Sequence, residues 1–368
     1  MATPKFLNVQ GSVFYSELKN RVNKYFEDSR KSVTGNFGLY FKAVLFWTAY
    51  VALYVHVIFF YPPTWLGIIE CVLMGGLTAA IGFNVMHDGG HGSFSKSKFW
   101  NKIAAFSVNA LGASGIMWNN KHNIIHHTYT NVDGMDDDIA KSPIIRQCES
   151  QKWVPAHKVQ HLYLLPIYSL STIFWIFIMD FKKYFSHKIY TTDAWKMSAK
   201  NHIIFWVTKV LYLVFYVALP ISVWGFLPWL AGYMALNAVM GLTLSIVFQL
   251  AHVVENTEFE HVPLDETKHI ETAWAEHQVK TTANFAMGNK VISWFVGGLN
   301  FQIEHHLFPR VSHIHYPAIS KIVMQKCKEY NLPYNKYDTL HEAVASHFRM
   351  MKFLGKKPEV ILQQVKAA

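Results

Sequence analysis

With 368 residues, 51% of them hydrophobic and 15% aromatic, the chain carries only 16% charged residues, against about 25% in an ordinary globular protein. That balance excludes a typical soluble domain. The formal net charge of +10 sits on no recognisable nucleic-acid-binding motif, so nucleic acid is excluded as a partner and the basic residues read as signals of membrane topology.

In chain order, residues 1–40 form a polar, basic cytosolic segment ("SELKNRVNKYFEDSRKS") with no cleavable signal peptide. Charge then disappears. Residues 43–69 and 71–87 carry none, and residues 210–254 form a charge-free run of 45. A helix needs about 20 apolar residues to cross roughly 30 Å of hydrocarbon, which predicts spans over 41–61, 64–85, 203–224 and 227–250. Pro62-Pro63 breaks the first pair and "WGFLPW" (224–229) the second, and neither connection contains Lys or Arg. The N-terminal segment, residues 86–160 and the C-terminal third are rich in both, which places them in the cytosol and leaves two tight hairpins on the other side. Trp65, Trp224 and Trp229 suit an aromatic belt. Of the remaining apolar stretches, 103–118 is short for a span. The stretch 162–181 is long enough, but a crossing there would put residues 86–160 and 300–315 on opposite sides, so it reads as an in-plane or partly embedded helix. The expectation is an all-α integral membrane protein of about four transmembrane helices in two hairpins, with a membrane domain over 41–316 and a cytosolic helical tail over 317–368. Cys71, Cys148 and Cys327 are far apart and imply neither a disulfide framework nor a thiolate site.

Eight of the 20 histidines form a pattern. "HDGGH" contains His87 and His91, and "HNIIHH" contains His122, His126 and His127. "NFQIEHHLFP" adds His305 and His306, with Gln302 three residues before, and His252 closes the fourth span. Spacings of three and four put side chains on one helical face, while the neighbour in each doublet points about 100° away and can reach a second ion. All three motifs lie just cytosolic of spans, which describes two adjacent metal ions held in a helical cap. Neutral imidazoles suit iron, zinc, copper and nickel, and eight are too many for one ion. Asp88, Glu304 and the acidic run 136–138 are candidates to hold the outward ring nitrogens, with a solvated loop or helix cap as the equal alternative for that run. His56, His157, His187 and His341 read as loop or packing residues, and the spacing of His277, His313 and His315 makes none of them a ligand.

"HDGGHGSFS", "KHNIIHHTYTNVDGMDDDI" and "GGLNFQIEHHLFP" together resemble the membrane fatty-acid desaturases, and the glutamine opening the third motif is similar to the front-end, linoleoyl-CoA desaturase-like branch. The resemblance covers roughly residues 35–330. It implies a non-haem di-iron centre on His87, His91, His122, His126, His127, His252, His305 and His306, with Gln302 where many relatives have another histidine. It also implies O2 as co-substrate, two external electrons per turnover, and a fatty acyl substrate, as acyl-CoA or membrane lipid, lying in a narrow bent tunnel. The His-Pro-Gly-Gly haem motif of a fused cytochrome b5 is absent, so electrons are expected from a separate ferredoxin or cytochrome b5, drawn to Lys96, Lys98 and Lys121. A hydroxylase or acetylenase on the same metal pair is the nearest rival reading. A histidine-rich metal transporter would place its ligands near mid-bilayer, and a zinc hydrolase would need only three. The host membrane reads as a bacterial inner membrane or endoplasmic reticulum, with the active site cytosolic; the closing "VKAA" is no retention signal.

Overall fold

The structure is a computed structural model that describes residues 4–6, 11–140, 143–193, 196–261 and 269–358. The closing "VKAA" and the rest of 359–368 lie outside the described residues. Helix α1 (Gly11–Ser29) lies ahead of the first long apolar helix, α2 (Phe37–Phe59), which starts where the Asn36 side chain accepts from the Leu39 N–H at 3.1 Å, a capping bond that replaces a missing intrahelical partner. Tyr61, at φ 50°, turns the chain, Pro62-Pro63 follows, and α3 (Thr64–His91) runs back. Helices α4 (Lys98–Ala110) and α5 (Gly115–Asn119) follow, and α5 continues as a π-helical stretch over Asn120–His126. Next come α6 (Pro155–Ser186), α7 (Ala199–Trp224) and α8 (Phe226–His252), the last two separated by Gly225 at φ 77°.

The two expected hairpins form as α2–α3 and α7–α8. Their tips are tied where the Trp224 indole donates to the Val57 carbonyl at 2.9 Å. Helices α3 and α8 lie so close that a Cβ on Gly75 would sit 2.4 Å from the Leu236 carbonyl oxygen, the backbone approach that small residues permit between apolar helices. Both helices end at the same place, with His87 and His91 on one and His252 on the other.

Among the described residues, five helices are long and apolar enough to cross a membrane, one more than the four expected. The fifth, α6, contains the stretch 162–181. Near its start the Gln160 amide donates to the Met351 carbonyl at 2.7 Å, and near its end Lys183 donates to Asp137 at 2.6 Å. Its middle packs on α8, where Thr172 donates to the Asn237 carbonyl at 3.2 Å. Asp137 follows the second histidine motif and Met351 lies in the C-terminal helical region, so both ends of α6 lie at the histidine end of the bundle.

The cap over that end is helical: α9 (Trp274–Lys280), α10 (Lys290–Phe295), α11 (Gln302–Leu307), α12 (Tyr316–Glu329) and α13 (Leu340–Leu354). Helix α13 opens with a reciprocal Thr339–Glu342 capping box. The apolar stripe Phe14, Leu18, Val22 and Phe26 of α1 packs with Val279, Phe301, Ile319 and Val323, so the chain's two ends close one core around α11. Short parallel pairings, Val132–Asp133 with Glu260–His261 and Asn284–Phe285 with Lys336–Tyr337, pin the loops between these helices.

Candidate metal centre

The first motif begins as a π-helical turn over Gly82–Met86, tightens to an α-turn over His87–His91, and stops at Gly92 with φ 73°. Its two internal glycines have a packing reason. A Cβ on Gly89 would lie 2.5 Å from the Ala105 amide of α4, and one on Gly90 would lie 2.4 Å from the Trp118 ring. The second motif sits on the π-helical stretch, where the His127 N–H donates to the His122 carbonyl at 3.1 Å, so the α-helical register read from its spacing is corrected to a wider turn. Trp118 stacks on His122 with centroids 4.7 Å apart. The third motif is the wholly buried helix α11, entered through Gly297 and Gly298 at φ 58° and 66°.

All eight histidines converge. The ligand-capable atoms of His87, His91, His122 and His305 lie within 4.8 Å of one another, as do those of His126, His252 and His306, and a third group joins His127 to His305 and His306. The His127 ring stands 4.8 Å from His91 and 4.5 Å from His306, between the two larger groups. Gln302 is buried one turn before them, and its Nε2 has no partner.

The nitrogen census decides what this cluster is for. On the outer side, His126 Nδ1 lies 2.9 Å from the Asp136 carboxylate, and His306 Nδ1 lies 2.9 Å from the Gln278 carbonyl oxygen. His305 Nδ1 lies 3.2 Å from the Tyr316 hydroxyl, and His252 Nδ1 lies 3.4 Å from the Thr281 carbonyl. On the inner side, Nε2 of His91, His127, His252, His305 and His306 is buried without a hydrogen-bond partner, while the Nε2 atoms of His87 and His122 meet at 3.1 Å. Orphaned buried polar atoms are costly and rare. Converging lone pairs on rings fixed through the opposite nitrogen suit metal binding; His252, His305 and His306 meet both conditions, while His127 has neither ring nitrogen hydrogen-bonded. Burial pushes His122, His127, His305 and His306 well below the usual imidazole range and so keeps them neutral. His126 goes the other way: burial lowers it, but the Asp136 carboxylate raises it further. The residues present fit a metal pair.

The outer partners were only partly legible. Of the three acidic candidates, the 136–138 run reaches a histidine of the cluster. Asp88 instead accepts from the Ser312 hydroxyl at 2.7 Å, with His313 Nδ1 3.0 Å away. Glu304 accepts from Asn284 and Tyr334 at 2.8 and 2.9 Å, and burial raises it to about 7. Both are corrected from histidine partners to braces of the cap, because an acidic residue next to a ligand in sequence points off the ligand face. Gln278, Thr130 and Tyr316 were missed, and their spacing carries no signal, since tertiary packing alone brings them in. Lys121 is also corrected: it bonds Asp138 at 2.6 Å and is not a free docking charge, whereas Lys96 and Lys98 are exposed. His277 Nε2 donates to the Thr130 carbonyl at 2.8 Å, in a packing role.

Replacing Asp136 by asparagine is expected to lower metal retention 10–100-fold, the usual loss for an outer partner, because an amide N–H facing His126 Nδ1 undoes the ring's orientation. Metal content after graded chelator dialysis checks it.

Beside His87 lies an apolar pocket lined by Phe83, Met86, Trp118, Leu244 and Phe248, among others. Apart from Thr78 and His87 its lining is apolar, and it touches the cluster at His87.

Known proteins place this arrangement. The family profile "Fatty acid desaturase" matches residues 63–338. The chain is 34% identical to the sn-1 linoleoyl-lipid 6-desaturase of Arthrospira platensis, over 94% of each chain. It is 35% identical to the acyl-lipid (8-3)-desaturase of Physcomitrium patens over 96% of this chain and 74% of that one. For the acyl-lipid (8-3)-desaturase of Mortierella alpina the identity is 32%, over 95% and 79%. With a family profile across three quarters of its length and near-full-length relatives above 30% identity, the chain belongs to the fatty acid desaturase family and is an oxidoreductase of that class.

Proposed function

We propose that the protein is an O2-dependent acyl-lipid desaturase that introduces a cis double bond into the acyl chain of a membrane lipid at a di-iron centre. The observation that carries this is the set of inward, unpartnered Nε2 atoms, with the rings of His252, His305 and His306 held through Nδ1 from outside, beside an apolar pocket that touches His87. In this reading His87, His91, His122 and His305 hold one ion, His126, His252 and His306 the other, and His127 stands between, with Gln302 adjoining. When bound, the iron pair supplies the oxidising power that removes hydrogen from an unactivated –CH2–CH2– unit, for which no side chain is a strong enough base.

The chain's own residues do the rest. Asp136 holds the Nδ1 proton of His126, and Gln278 accepts that of His306, which aims both Nε2 atoms inward. Thr130 donates to Gln278 at 2.9 Å and fixes the amide's orientation. The pocket walls exclude water and hold the acyl chain beside His87. Adjacent methylenes are chemically alike, so position along the pocket selects the bond. Electrons come from a separate ferredoxin or cytochrome b5, with exposed Lys96 and Lys98 supplying positive charge near the first motif. The acyl-lipid substrate class follows the names of the relatives.

The reading also assigns four crossings, with α6 entering and leaving on the histidine side, in the cytosol. In sealed membranes, cysteines at Ser186 and Lys352 are then expected to react with an impermeant maleimide from one side and a cysteine at Thr64 from the other. Labelling of Ser186 together with Thr64 makes α6 a fifth span and overturns the assignment. The reaction itself is tested by gas chromatography–mass spectrometry of lipids from cells that express the chain with a compatible electron donor. A new unsaturated acid supports it, a hydroxylated acid hands the case to the hydroxylase reading, and silence with iron-loaded protein and several donors rejects both.

A further inference from the structure

A second apolar groove opens on the outside of the bundle, between α2 and α7 and under α4. Trp47, Tyr50, Val51 and Tyr54 line one wall, and residues from Ile203 to Tyr216 line the other, with Phe106, Asn109 and Ala110 above. From Trp47 to Tyr54 it extends about 10 Å along α2. It lies within segments long and apolar enough to cross a membrane, and Val51, Val207 and Leu211 at its edges are about half exposed.

Most of the groove's hydroxyls are bonded within the protein. The hydroxyls of Tyr50 and Tyr216 bond each other at 2.7 Å, and that of Tyr54 donates to the Phe215 carbonyl at 2.7 Å. The Thr208 hydroxyl donates to the Ile204 carbonyl at 2.8 Å, and the Asn109 carbonyl oxygen accepts from the Gly115 N–H at 2.7 Å. With these hydroxyls engaged and the walls otherwise mostly apolar, the groove favours hydrocarbon.

One thin wall separates the groove from the pocket at His87. Val108, Leu111 and Ala113 line that inner pocket, while Asn109 and Ala110, in the same turn, face the groove. The rest of the wall is Tyr212, which lines the groove and packs with Met86, Val108, Ala113 and Trp118 on its other side. Its ring lies against Gly112, whose φ of 101° and missing Cβ make room for it; a Cβ there would be 2.5 Å from the ring. Its hydroxyl is held by Tyr233 at 2.8 Å. It also stacks on Tyr216 with centroids 4.6 Å apart and meets Phe177 edge-on at 6.1 Å; these contacts and the Tyr233 bond are what a rotation opening one cavity to the other would have to break.

The geometry points to a lateral portal: the acyl chain of a bilayer lipid enters between α2 and α7 and reaches the histidine cluster past Tyr212. This rests on the acyl-lipid desaturase reading. The test attaches a bulky maleimide to Val207→Cys in the groove and, as a control, to Val44→Cys, which is 64% exposed and lines no part of the groove. Iron-loaded proteins in liposomes are supplied with an electron donor and a labelled phosphatidylcholine carrying an unsaturated acyl chain. The expected result is at least a tenfold loss of turnover for modified Val207→Cys, with modified Val44→Cys equal to the parent. A phosphatidylcholine bearing a photoreactive group in its acyl chain is expected to crosslink α2 or α7 within the groove, and Tyr212→Trp, too large to swing past Gly112, to keep its iron and that crosslink while losing turnover. Full turnover with Val207 blocked, or crosslinks spread evenly over lipid-facing helices, overturns the portal. A parent that is itself silent speaks against the desaturase reading instead.

Discussion

On the proposed di-iron reading, replacing His306 by alanine is expected to abolish double-bond formation and to lower the iron bound per chain from two ions towards one. His306 belongs with His126 and His252 and also with His127 and His305; among the described residues, it and His305 are each placed in two of the groups made of histidine alone. Its Nε2 is buried with no partner, and its Nδ1 is held by Gln278. Loss of an outer partner alone typically costs 10–100-fold, so loss of the ligand is expected to exceed about 100-fold in turnover. Iron is measured by mass spectrometry on purified protein, and activity by the lipid profile. His341→Ala, on an exposed residue of α13, serves as the matched control and is expected to change neither. An inactive His306→Ala protein that retains both ions would place the residue in substrate positioning rather than ligation.

What could be read from the sequence follows from how local each signal is. The histidine motifs were legible because ligand chemistry and spacing sit within five or six residues, and His252 because a span ends on it. The acidic run 136–138 was legible as a partner because it follows its histidine closely along the chain. Gln278 and Tyr316 were not, since they reach His306 and His305 from other helices, brought in by the packing of α9 and α12. The π-helical register of 120–126 was invisible for another reason: both helix types put residues four apart on nearly one face, so the pattern of apolar positions does not separate them. Asp88 and Glu304 misled because adjacency in sequence was taken for adjacency of side chains. Helix α6 shows a subtler case. Its length reads as a span, and only the need to keep the histidines on one side suggested otherwise; its contacts at Met351 and Asp137 are tertiary facts.

The same limit hid the ion pair inside the bundle. Lys209 stands just before the 45-residue charge-free run and Asp180 near the end of α6, and nothing in their separation joins them. In the fold Lys209 donates to Asp180 at 2.7 Å with both side chains buried, and to the Gly112 and Ile176 carbonyls at 2.7 and 2.8 Å. Asp180 in turn accepts from the Ser114 N–H at 2.8 Å and the Trp175 indole at 3.1 Å. The pair therefore clamps the turn 112–114, which feeds α5 and the second histidine motif and backs Tyr212. Asp180→Leu leaves an ammonium buried with only two carbonyls, and breaking a buried pair from one side costs about 3–5 kcal/mol. Lys209→Met is expected to cost less, because two N–H donors still hold the carboxylate. Asp180→Leu already frees the Ser114 N–H and the Trp175 indole; the double variant also frees the Gly112 and Ile176 carbonyls, at about 1–3 kcal/mol each, but leaves no charge buried. The double variant should therefore be no less stable than Asp180→Leu alone, a coupling that a double-mutant cycle of equilibrium unfolding in detergent measures directly. Additive losses would mean that the two residues stabilise the turn independently through its backbone, and that the charge pairing contributes nothing.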